Sequence, residues 1–256
     1  MDTITIISTW TLCKKEVLRF LKVYHQTLLA PVVSAITFLF IFALSIGNHV
    51  ADIDGIPFTE FMAYGLIIMS ITQNAFANSS SSIFQSKIDG TIIDYVISPI
   101  PLNGFIAAYT SAAMARGVIV GILVAITISL FIDMSVYSYF YLFFFSLLAT
   151  LFLAILGMIA GILSNSFDQM SAITIYLITP LSFLSGTFYS IKTLPQTLAM
   201  INLFNPFFYI IDGFRYSMTG THNSSIILGI TFLSMIIVIC YFGLYAILKN
   251  GYRIKN

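Results

Sequence analysis

Residues Tyr139–Leu163 read YFYLFFFSLLATLFLAILGMIAGIL, a run of 25 residues without a charged side chain. A helix crosses the hydrocarbon core of a bilayer with about 20 mostly apolar residues, so this run is long enough to span. Its apolar residues are continuous and do not alternate with polar ones, which favours a helix over a barrel strand. Five further runs have the same character, so we predict six spans. The other five are Leu28–Ile46, Phe58–Asn78, Ala112–Ile132, Ser171–Ser190 and Ile226–Leu248.

The composition of the whole chain supports the same class. Apolar residues make up 59% of the 256 residues and charged residues only 8%, whereas a soluble domain carries roughly 25% charged residues. So few charges do not cover a globular surface in water. We therefore predict an all-α membrane protein with one domain over residues 1–256. It comprises a cytoplasmic amphipathic helix in 1–25, a six-helix membrane region in 26–250 and a cytoplasmic tail in 251–256.

Lysine and arginine predict the orientation, because they concentrate in the cytoplasmic loops of membrane proteins. The segment before the first span and the tail after the last span are both basic. The loop between the first two spans, 47–57, has two aspartates and no Lys or Arg. With an even number of spans, we expect both termini in the cytoplasm. The basic residues of the two termini are Lys14, Lys15, Arg19, Lys22, Lys249, Arg253 and Lys255.

Three segments do not fit a simple series of membrane hairpins, and the first is Thr5–Tyr24. Its larger apolar residues share one face of a helix, and its four cations lie largely elsewhere. Such a helix lies in the membrane interface with its cations near anionic headgroups. The predicted apolar face consists of Ile6, Ile7, Trp10, Val17, Leu18 and Leu21.

The second unusual segment, Ile83–Pro99, follows the second span on the cytoplasmic side. Its apolar residues recur at three- and four-residue spacing, which predicts a helix. Pro99 and Pro101 are expected to end that helix.

The third unusual segment, Ile191–Gly220, connects the last two spans. It is long for a connection within a compact domain and too apolar for a loop in water. Pro195 and the Asn205-Pro206 pair divide it. We therefore predict two short helices, which form a re-entrant or interfacial hairpin on the outer side.

The sequence argues against a catalytic function. Its three histidines, His25, His49 and His222, fall at span ends or in loops, and no carboxylate cluster lies within a predicted span. The chain has no phosphate-binding loop of the G-x-x-x-x-G-K-[ST] type, and its two cysteines form no metal-binding pattern. We expect no cofactor in this chain. A net charge of +1 gives no reason to expect a nucleic-acid partner.

Polar residues inside the predicted spans are candidates for a translocation path. The amides near the end of the second span would be poorly satisfied in lipid, so they are expected to face another helix or a cavity. Arg116 is predicted near the cytoplasmic end of the third span, where it either snorkels to the interface or contacts another helix. A proline is expected to kink the fifth span. With helix packing as the alternative role, the path candidates are Asn74, Asn78, Tyr176, Pro180 and Ser185.

The order of these features resembles one family, the permeases of ABC-2 type exporters, which includes membrane subunits for polysaccharide, nodulation-factor and drug export. The stretch Lys87-Ile88-Asp89-Gly90-Thr91-Ile92, followed by Ser98-Pro99, is similar to the family's charged-x-Gly-Thr and Ser/Thr-Pro signature. Asn205-Pro206 and Gly213-Phe214-Arg215 are similar to its Asn-Pro and Arg pattern. The resemblance covers essentially the whole chain. One departure is that the stretch before Gly90 is less charged than is usual in the family.

The resemblance implies that Ile83–Ser98 is a coupling helix, seated in a groove of a separate ATP-binding subunit that holds ATP and Mg. It also implies a homodimer of this chain with two ATPase subunits, surrounded by membrane lipids in a bacterial inner membrane. The expected cargo is a lipid, a lipid-linked glycan or an amphipathic compound. The residues expected to contact the ATP-binding subunit are Phe84, Lys87, Asp89, Gly90, Thr91 and Asp94. The residues of the outer-hairpin motif are Asn205, Pro206, Gly213 and Arg215.

Two alternatives remain open at this point. One is an ATP-independent secondary transporter or channel, which would work without a partner and depend on an ion. No buried ion site is evident in the sequence. The other concerns Ile83–Ser98 alone, which as an isolated segment also fits a helix that lies on the lipid surface.

Overall fold

The computed structural model of the chain describes residues 3–45, 52–98 and 100–251. Every regular element in these ranges is helical, apart from an isolated bridge between Ile53 and Ile56. Two π-helical turns, His25–Leu29 and Thr174–Ile178, and one short 3-10 turn, Ile191–Thr193, accompany the α-helices. The α-helices are α1 (Thr3–Lys22), α2 (Ala30–Ser45), α3 (Phe58–Ile88), α4 (Thr91–Ile97), α5 (Leu102–Ser129), α6 (Tyr139–Leu163), α7 (Phe167–Ile173), α8 (Thr179–Leu184), α9 (Gln196–Asn202), α10 (Pro206–Thr219) and α11 (Ile226–Lys249).

Helix α3 lies at the centre of the bundle, where it packs against α2, α5, α6 and α10. Its 31 residues correspond to a length of about 46 Å. The contact with α6 is close because Gly157 and Gly161 have no side chain. A Cβ atom on Gly157 would lie 2.1 Å from the Ser79 hydroxyl, and one on Gly161 would lie 2.6 Å from the Ser80 carbonyl. The G-x-x-x-G pair of α6 is therefore an interface with α3.

Four helical segments in the described ranges are long and apolar enough to cross a membrane: His25–Ala43, Leu102–Ser129, Tyr139–Leu163 and Ile226–Lys249. The central helix α3 is not among them, because its second half is rich in amides and hydroxyls. Neighbouring helices cover most of these polar groups, so α3 does not need an apolar surface along its whole length. The all-helical class is confirmed for the described residues, while the number of six spans stays a prediction.

The predicted cytoplasmic helix Ile83–Ser98 is wrong as a single element, because α3 continues through Ser79–Ser82 as far as Ile88. The serines do not break α3, since the hydroxyls of Ser79, Ser80 and Ser81 bond carbonyls of the preceding turn, for example Ser81 Oγ to the Ala77 carbonyl at 2.6 Å. The break comes at Gly90, where φ is 72°. A left-handed residue that ends one helix is usually glycine. Helix α4 then ends at Ile97, and Pro99 lies outside the described residues.

Two other predicted boundaries also differ. The third span was expected from Ala112, but α5 begins ten residues earlier at Leu102, where Pro101 precedes its first turn. The fifth span was expected as one helix to Ser190, but it consists of α7, a π turn and α8, which ends at Leu184. Gly186, with φ of 81°, then turns the chain.

Proline explains both π turns. Pro31 and Pro180 each come two residues after a π turn has ended. In a regular α-helix the proline ring clashes with the carbonyl four residues earlier, and that carbonyl lies inside the π turn in both cases. The irregular helix predicted at Pro180 is therefore present, and a π turn also precedes Pro31.

The expected pair of short helices between the last two predicted spans is present as α9 and α10. Helix α9 is largely exposed, whereas α10 is largely buried between α3, α6 and α11. The sequence therefore predicted the number of helices in this connection but not the burial of the second one.

Candidate translocation and docking sites

Helix α1 packs along α5 and buries a second face, which the sequence pattern did not predict. The predicted apolar face remains exposed, as at Trp10. On the opposite face, Leu12 and Phe20 are buried and enclose Glu16, which is only 2% exposed. The Glu16 carboxylate accepts hydrogen bonds from Arg19 Nε, at 3.0 Å, and from the Ser82 hydroxyl of α3. The four-residue spacing of these three buried residues was the only sequence signal for this contact.

Two arginines from different helices bind one face of α3. Arg19 Nη2 donates to the carbonyl and to the side-chain oxygen of Asn78, at 3.1 and 3.0 Å. Arg116 Nη2 donates to the side-chain oxygen of Asn74 at 3.0 Å. Because Asn74 and Asn78 are four residues apart, they lie one above the other on α3. Asn78, a predicted path residue, therefore already has a hydrogen-bond partner in α1.

The position of Arg116 differs from the expected one. Since α5 begins at Leu102, Arg116 lies near the middle of this 28-residue helix and not one turn from its end. Its side chain is only 9% exposed. Of the two open alternatives, the contact with another helix is confirmed, because the Arg116 side chain bonds Asn74 of α3.

The six residues predicted to contact an ATP-binding subunit divide into two groups. Phe84 is 1% exposed and packs edge-on against Phe167, with ring centres 4.7 Å apart. Lys87 donates to the carbonyls of Ile162 and Ser164, at 3.1 and 3.0 Å. Phe84 and Lys87 therefore connect α3 to α6 and α7 in this structure.

The second group faces outward at the junction of α3 and α4. Asp89, Gly90 and Asp94 are exposed, and Thr91 is half-buried. A Cβ atom on Gly90 would meet nothing within 4 Å. This junction, Ile88–Asp94, is hereafter called the α3–α4 turn.

Helix α4 is tied to the rest of the protein by Tyr95. Its hydroxyl accepts a hydrogen bond from the Lys15 ammonium group of α1, which also lies 4.8 Å from the centre of the Tyr95 ring. The same ring lies 6.0 Å from that of Phe105 in α5. Helix α4 is therefore supported by α1 and α5 next to the exposed residues of the α3–α4 turn.

A groove of about 330 Å³ lies between α2 and α3. Of the five predicted path residues, only Asn74 lines it. Tyr176, 81% exposed, and the exposed Pro180 lie on the broken segment from α7 to α8, while Ser185 is buried and bonded to the outer hairpin. The structure does not bring the five together. The other polar residues of the groove are Gln26, Ser34, Ser70 and Gln73.

A larger groove, of about 600 Å³, lies between α5 and α6. Its walls are almost entirely apolar and include Val118, Ile122 and Phe143. A surface of this kind is satisfied by lipid chains. It therefore differs from the groove between α2 and α3, whose amides and hydroxyls need polar partners.

The motif residues of the outer hairpin join α10 to the broken end of α8. Asn205 accepts a hydrogen bond from Phe207 N at 3.1 Å, which caps α10, and Pro206 occupies the first turn. The Asn205 amide also donates to the Leu181 carbonyl at 2.9 Å and to the Ser185 hydroxyl at 2.8 Å. This asparagine thereby satisfies groups at the ends of two helices.

Gly213 and Arg215 position the other end of α10. A Cβ atom on Gly213 would lie 2.1 Å from the Phe145 ring, so α10 approaches α6 closely only because this residue is glycine. Arg215 Nη2 donates to the Gly186 carbonyl at 2.9 Å, and its guanidinium lies 3.5 Å from the centre of the Phe61 ring. Burial lowers the pKa of Arg215 to about 10, while nearby carboxylates act in the opposite direction.

No three His, Cys, Asp or Glu side chains lie close enough to hold a metal ion in the ranges that the structure describes. The polar side chains of the two grooves and of the α3–α4 turn are amides, hydroxyls and isolated carboxylates. Such groups bind and position polar partners.

Comparison with known proteins agrees with these features. The family described as ABC-2 type transporter matches residues 7–219. The inner membrane transport permease YadH of Escherichia coli K12 is 31% identical over 99% of this chain and 98% of that protein. Nodulation protein J of Rhizobium leguminosarum bv. viciae is 24% identical over 93% of this chain and 92% of that protein. The chain therefore belongs to the ABC-2 type transporter family and is the membrane transport subunit of an ABC transporter.

Proposed function

We propose that this protein is the permease of an ATP-driven exporter in a bacterial inner membrane. Members of its family normally work with an ATP-binding subunit, and a relative similar along its whole length is named an inner membrane transport permease. The proposed assembly contains two copies of this chain and two ATPase subunits, which bind ATP and Mg. The chain crosses the membrane six times, with both termini in the cytoplasm, in accord with its basic ends.

The α3–α4 turn is the observation that carries this proposal. Its first exposed residues, Ile88 and Asp89, lie directly at the end of the central helix, which is continuous from Phe58 to Ile88, and Gly90 separates them from Ile93 and Asp94. A subunit that binds Ile88 and Ile93, which are both exposed, moves α3 and with it the helices packed around it. A short apolar surface flanked by Asp89 and Asp94 fits a partner groove with a basic rim.

Affinity purification of the tagged permease from native membranes, with mass spectrometry, tests the docking site. We expect an ATP-binding subunit to copurify with the wild type. Asp89→Lys and Asp94→Lys should each reduce its recovery about tenfold. The basic rim of the partner groove attracts the aspartates and would repel a lysine at the same position. Asp168→Lys, at another exposed carboxylate, is the matched control and should have no effect. Equal recovery with all three variants would show that the subunit binds elsewhere.

The groove between α2 and α3 supports a neutral polar headgroup as the part of the cargo that the protein contacts. Among the described residues, its lining includes amides and hydroxyls beside Phe38, Leu66 and Met69, but no charged side chain. Hydroxyl-rich groups such as sugars satisfy amides and hydroxyls, while attached acyl chains remain in lipid. A lipid, a lipid-linked glycan or a similar amphipathic compound fits this arrangement.

Export is tested in proteoliposomes that contain the permease and its ATPase partner. With ATP outside, the outward-facing ATPase domains should drive labelled amphipathic cargo into the vesicle lumen. Ser70→Phe fills the groove and should abolish cargo-stimulated ATP hydrolysis, whereas Gln196→Ala on the exposed helix α9 should not. Partner recovery serves as the folding control for both variants. ATP-driven movement of cargo out of the lumen would exclude export.

The segment from α7 to α8 supports the proposed homodimer. It makes few contacts within the chain and exposes Ile175, Tyr176 and Leu177 as a continuous apolar turn. We expect native mass spectrometry to detect two copies of the permease in the complex. Tyr176→Ala should favour the single copy, whereas Phe242→Ala, at an exposed aromatic residue of α11, should leave the dimer intact. A stable complex with one permease would rule out the homodimer.

A further inference from the structure

A cavity of about 160 Å³ lies at the end of α3 opposite to α1. It is bounded by three basic side chains, Arg215, Lys192 and His222, together with Thr221, Asn223 and Asp54. None of the residues used for the proposed docking site or groove takes part in it. On the orientation proposed above, the cavity faces the outer side of the membrane.

Arg215 is the deepest of the basic residues, with 4% of its surface exposed. Its Nη2 atom bonds the Gly186 carbonyl, and its plane covers Phe61. Its Nε atom is buried and has no hydrogen-bond partner among the described residues. A buried guanidinium needs an acceptor for its donors and an anion for its charge. The observed contacts supply one carbonyl acceptor and no anion.

The two nearby carboxylates do not supply that anion directly, because both are engaged elsewhere. Asp54 accepts from Lys192 Nζ at 2.6 Å and from the Ser190 hydroxyl at 3.1 Å. Asp212 accepts from the backbone N–H groups of Asn223 and Ser224, at 2.8 and 2.9 Å. Neither forms an ion pair with Arg215 in the described ranges.

A second unsatisfied polar atom belongs to Asn223, which also bounds this cavity. Asn223 Oδ1 is buried and has no partner among the described residues. The oxygen and nitrogen of an amide exchange places when the group turns over, so Asn223 can present two N–H donors here. The cavity volume also exceeds the roughly 30 Å³ that one water molecule occupies in the liquid. The space and the donors therefore match a ligand larger than one water.

We propose that this cavity binds a phosphate group. Arg215 provides a buried cation without an ion pair among the described residues, and a guanidinium suits an oxyanion. Lys192, whose ammonium group also pairs with Asp54, and His222 provide further basic groups at the rim, and Thr221 and Asn223 provide neutral donors. The phosphate belongs either to a lipid headgroup or to a free anion. This inference does not depend on export, because binding is measured without ATP hydrolysis.

Thermal unfolding of the purified protein in a phosphate-free maltoside buffer provides the first measurement. Inorganic phosphate should raise the unfolding temperature of the wild type in a saturable manner. Lys192→Gln and His222→Gln should weaken the apparent affinity by roughly ten- to hundredfold each, the effect of losing a charge-assisted hydrogen bond. Lys249→Gln, at the far end of α11, is the matched control and should behave as the wild type. Arg215 is left intact, because its loss also removes the bond to Gly186.

Native mass spectrometry of the same four proteins distinguishes the source of the phosphate. Phospholipid retained by the wild type and Lys249→Gln but lost from the two rim variants, without a response to inorganic phosphate, identifies a lipid headgroup. A saturable response to inorganic phosphate that the rim variants lose identifies a free anion. If retained lipid and the phosphate response are equal in all four proteins, any binding occurs elsewhere and the proposal is overturned. The proposal is also overturned if no protein binds either ligand, since the cavity then holds water only.

Discussion

The two ends of α3 are stabilised by different kinds of polar contact. In the half of α3 near α1, most polar contacts join side chains: Glu16 with Arg19 and Ser82, Arg19 with Asn78, and Arg116 with Asn74. At the other end, side chains bond backbone carbonyls of broken helices. Asn205 bonds the Leu181 carbonyl, Asn202 bonds the Leu184 carbonyl and Arg215 bonds the Gly186 carbonyl.

This difference follows from where the helices end. Near α1, helices α3 and α5 run through, so most of their backbone groups are satisfied internally and most polar contacts join side chains. The exceptions are the Asn78 carbonyl, which accepts from Arg19, and the carbonyls of Ile162 and Ser164 at the end of α6, which accept from Lys87. Around Leu184 and Asn202 the helices stop within the protein, and their last carbonyls have no partner in the helix. In a membrane such groups cost several kcal/mol unless a donor reaches them. Polar side chains at this end therefore complete the backbone of broken helices.

The largest effect is expected for Asn205→Ala at the broken helices. The substitution removes the cap of α10 and leaves the Leu181 carbonyl without its donor, at a cost of about 2–4 kcal/mol. Thermal unfolding in detergent, followed by size-exclusion chromatography, measures the loss. Asn165→Ala, at an exposed asparagine after α6, is the control. An unfolding temperature equal to that of the control would show that the hydrogen bonds of Asn205 to the broken helices do not stabilise the protein.

A smaller loss is expected for Glu16→Ala in the side-chain network. Breaking a buried ion pair costs about 3–5 kcal/mol, but the Arg19 side chain is 33% exposed and water solvates part of the freed charge. We therefore expect about 1–2 kcal/mol. The same unfolding assay measures it, with Lys14→Ala as the control on the exposed side of α1. A loss larger than that of Asn205→Ala would reverse the ranking of the two ends.

A double-mutant cycle on Arg116→Met and Asn74→Leu measures one side-chain pair by itself. Hydrogen bonds between helices in membranes contribute about 0.6 kcal/mol on average, and those to charged groups lie at the upper end. We expect a coupling free energy of about 0.5–1.5 kcal/mol. Additive effects of the two substitutions would mean that Arg116 and Asn74 do not interact in the membrane.

The smallest effect is expected for Lys192→Ala at the surface of the outer end. Its ion pair with Asp54 is largely exposed, with 64% of the lysine side chain accessible. Exposed pairs of this kind contribute about 0.2–1 kcal/mol, and added salt screens them. The difference in unfolding temperature from the wild type should shrink as the salt concentration rises. A difference that is independent of salt would show that Lys192 stabilises the protein by something other than this pair.

Some structural details had clear sequence signals. Gly90 marked the end of α3, although the apolar spacing of Ile83–Pro99 predicted one helix across it. Pro180 marked the π turn before α8, and Asn205-Pro206 marked the start of α10. These signals are local, because glycine and proline act on the backbone of their own turn. Burial that arises from tertiary packing had no comparable signal. An example is Glu16, which is buried although its helix was expected to lie at the membrane interface.

The candidate sites were predictable only in part. Asp89, Gly90 and Asp94 are exposed at the α3–α4 turn, as their predicted docking role requires, but Phe84 and Lys87 are directed into contacts with α7 and α6. The difference arises because the sequence suggested that the cytoplasmic helix starts at Ile83. Since α3 continues to Ile88, both residues lie on a helix already enclosed by neighbours.

The sequence by itself determined the class of this protein, because runs such as Tyr139–Leu163 are stable as helices in lipid whatever surrounds them. Composition and Lys/Arg placement likewise need no knowledge of contacts. The tertiary structure alone decided which polar residues meet. Glu16 and Ser82 are 66 residues apart in the chain, and Arg116 and Asn74 are 42 apart. Such pairs form because packed helices bring distant residues within hydrogen-bond distance, and no local pattern records which helices will be neighbours.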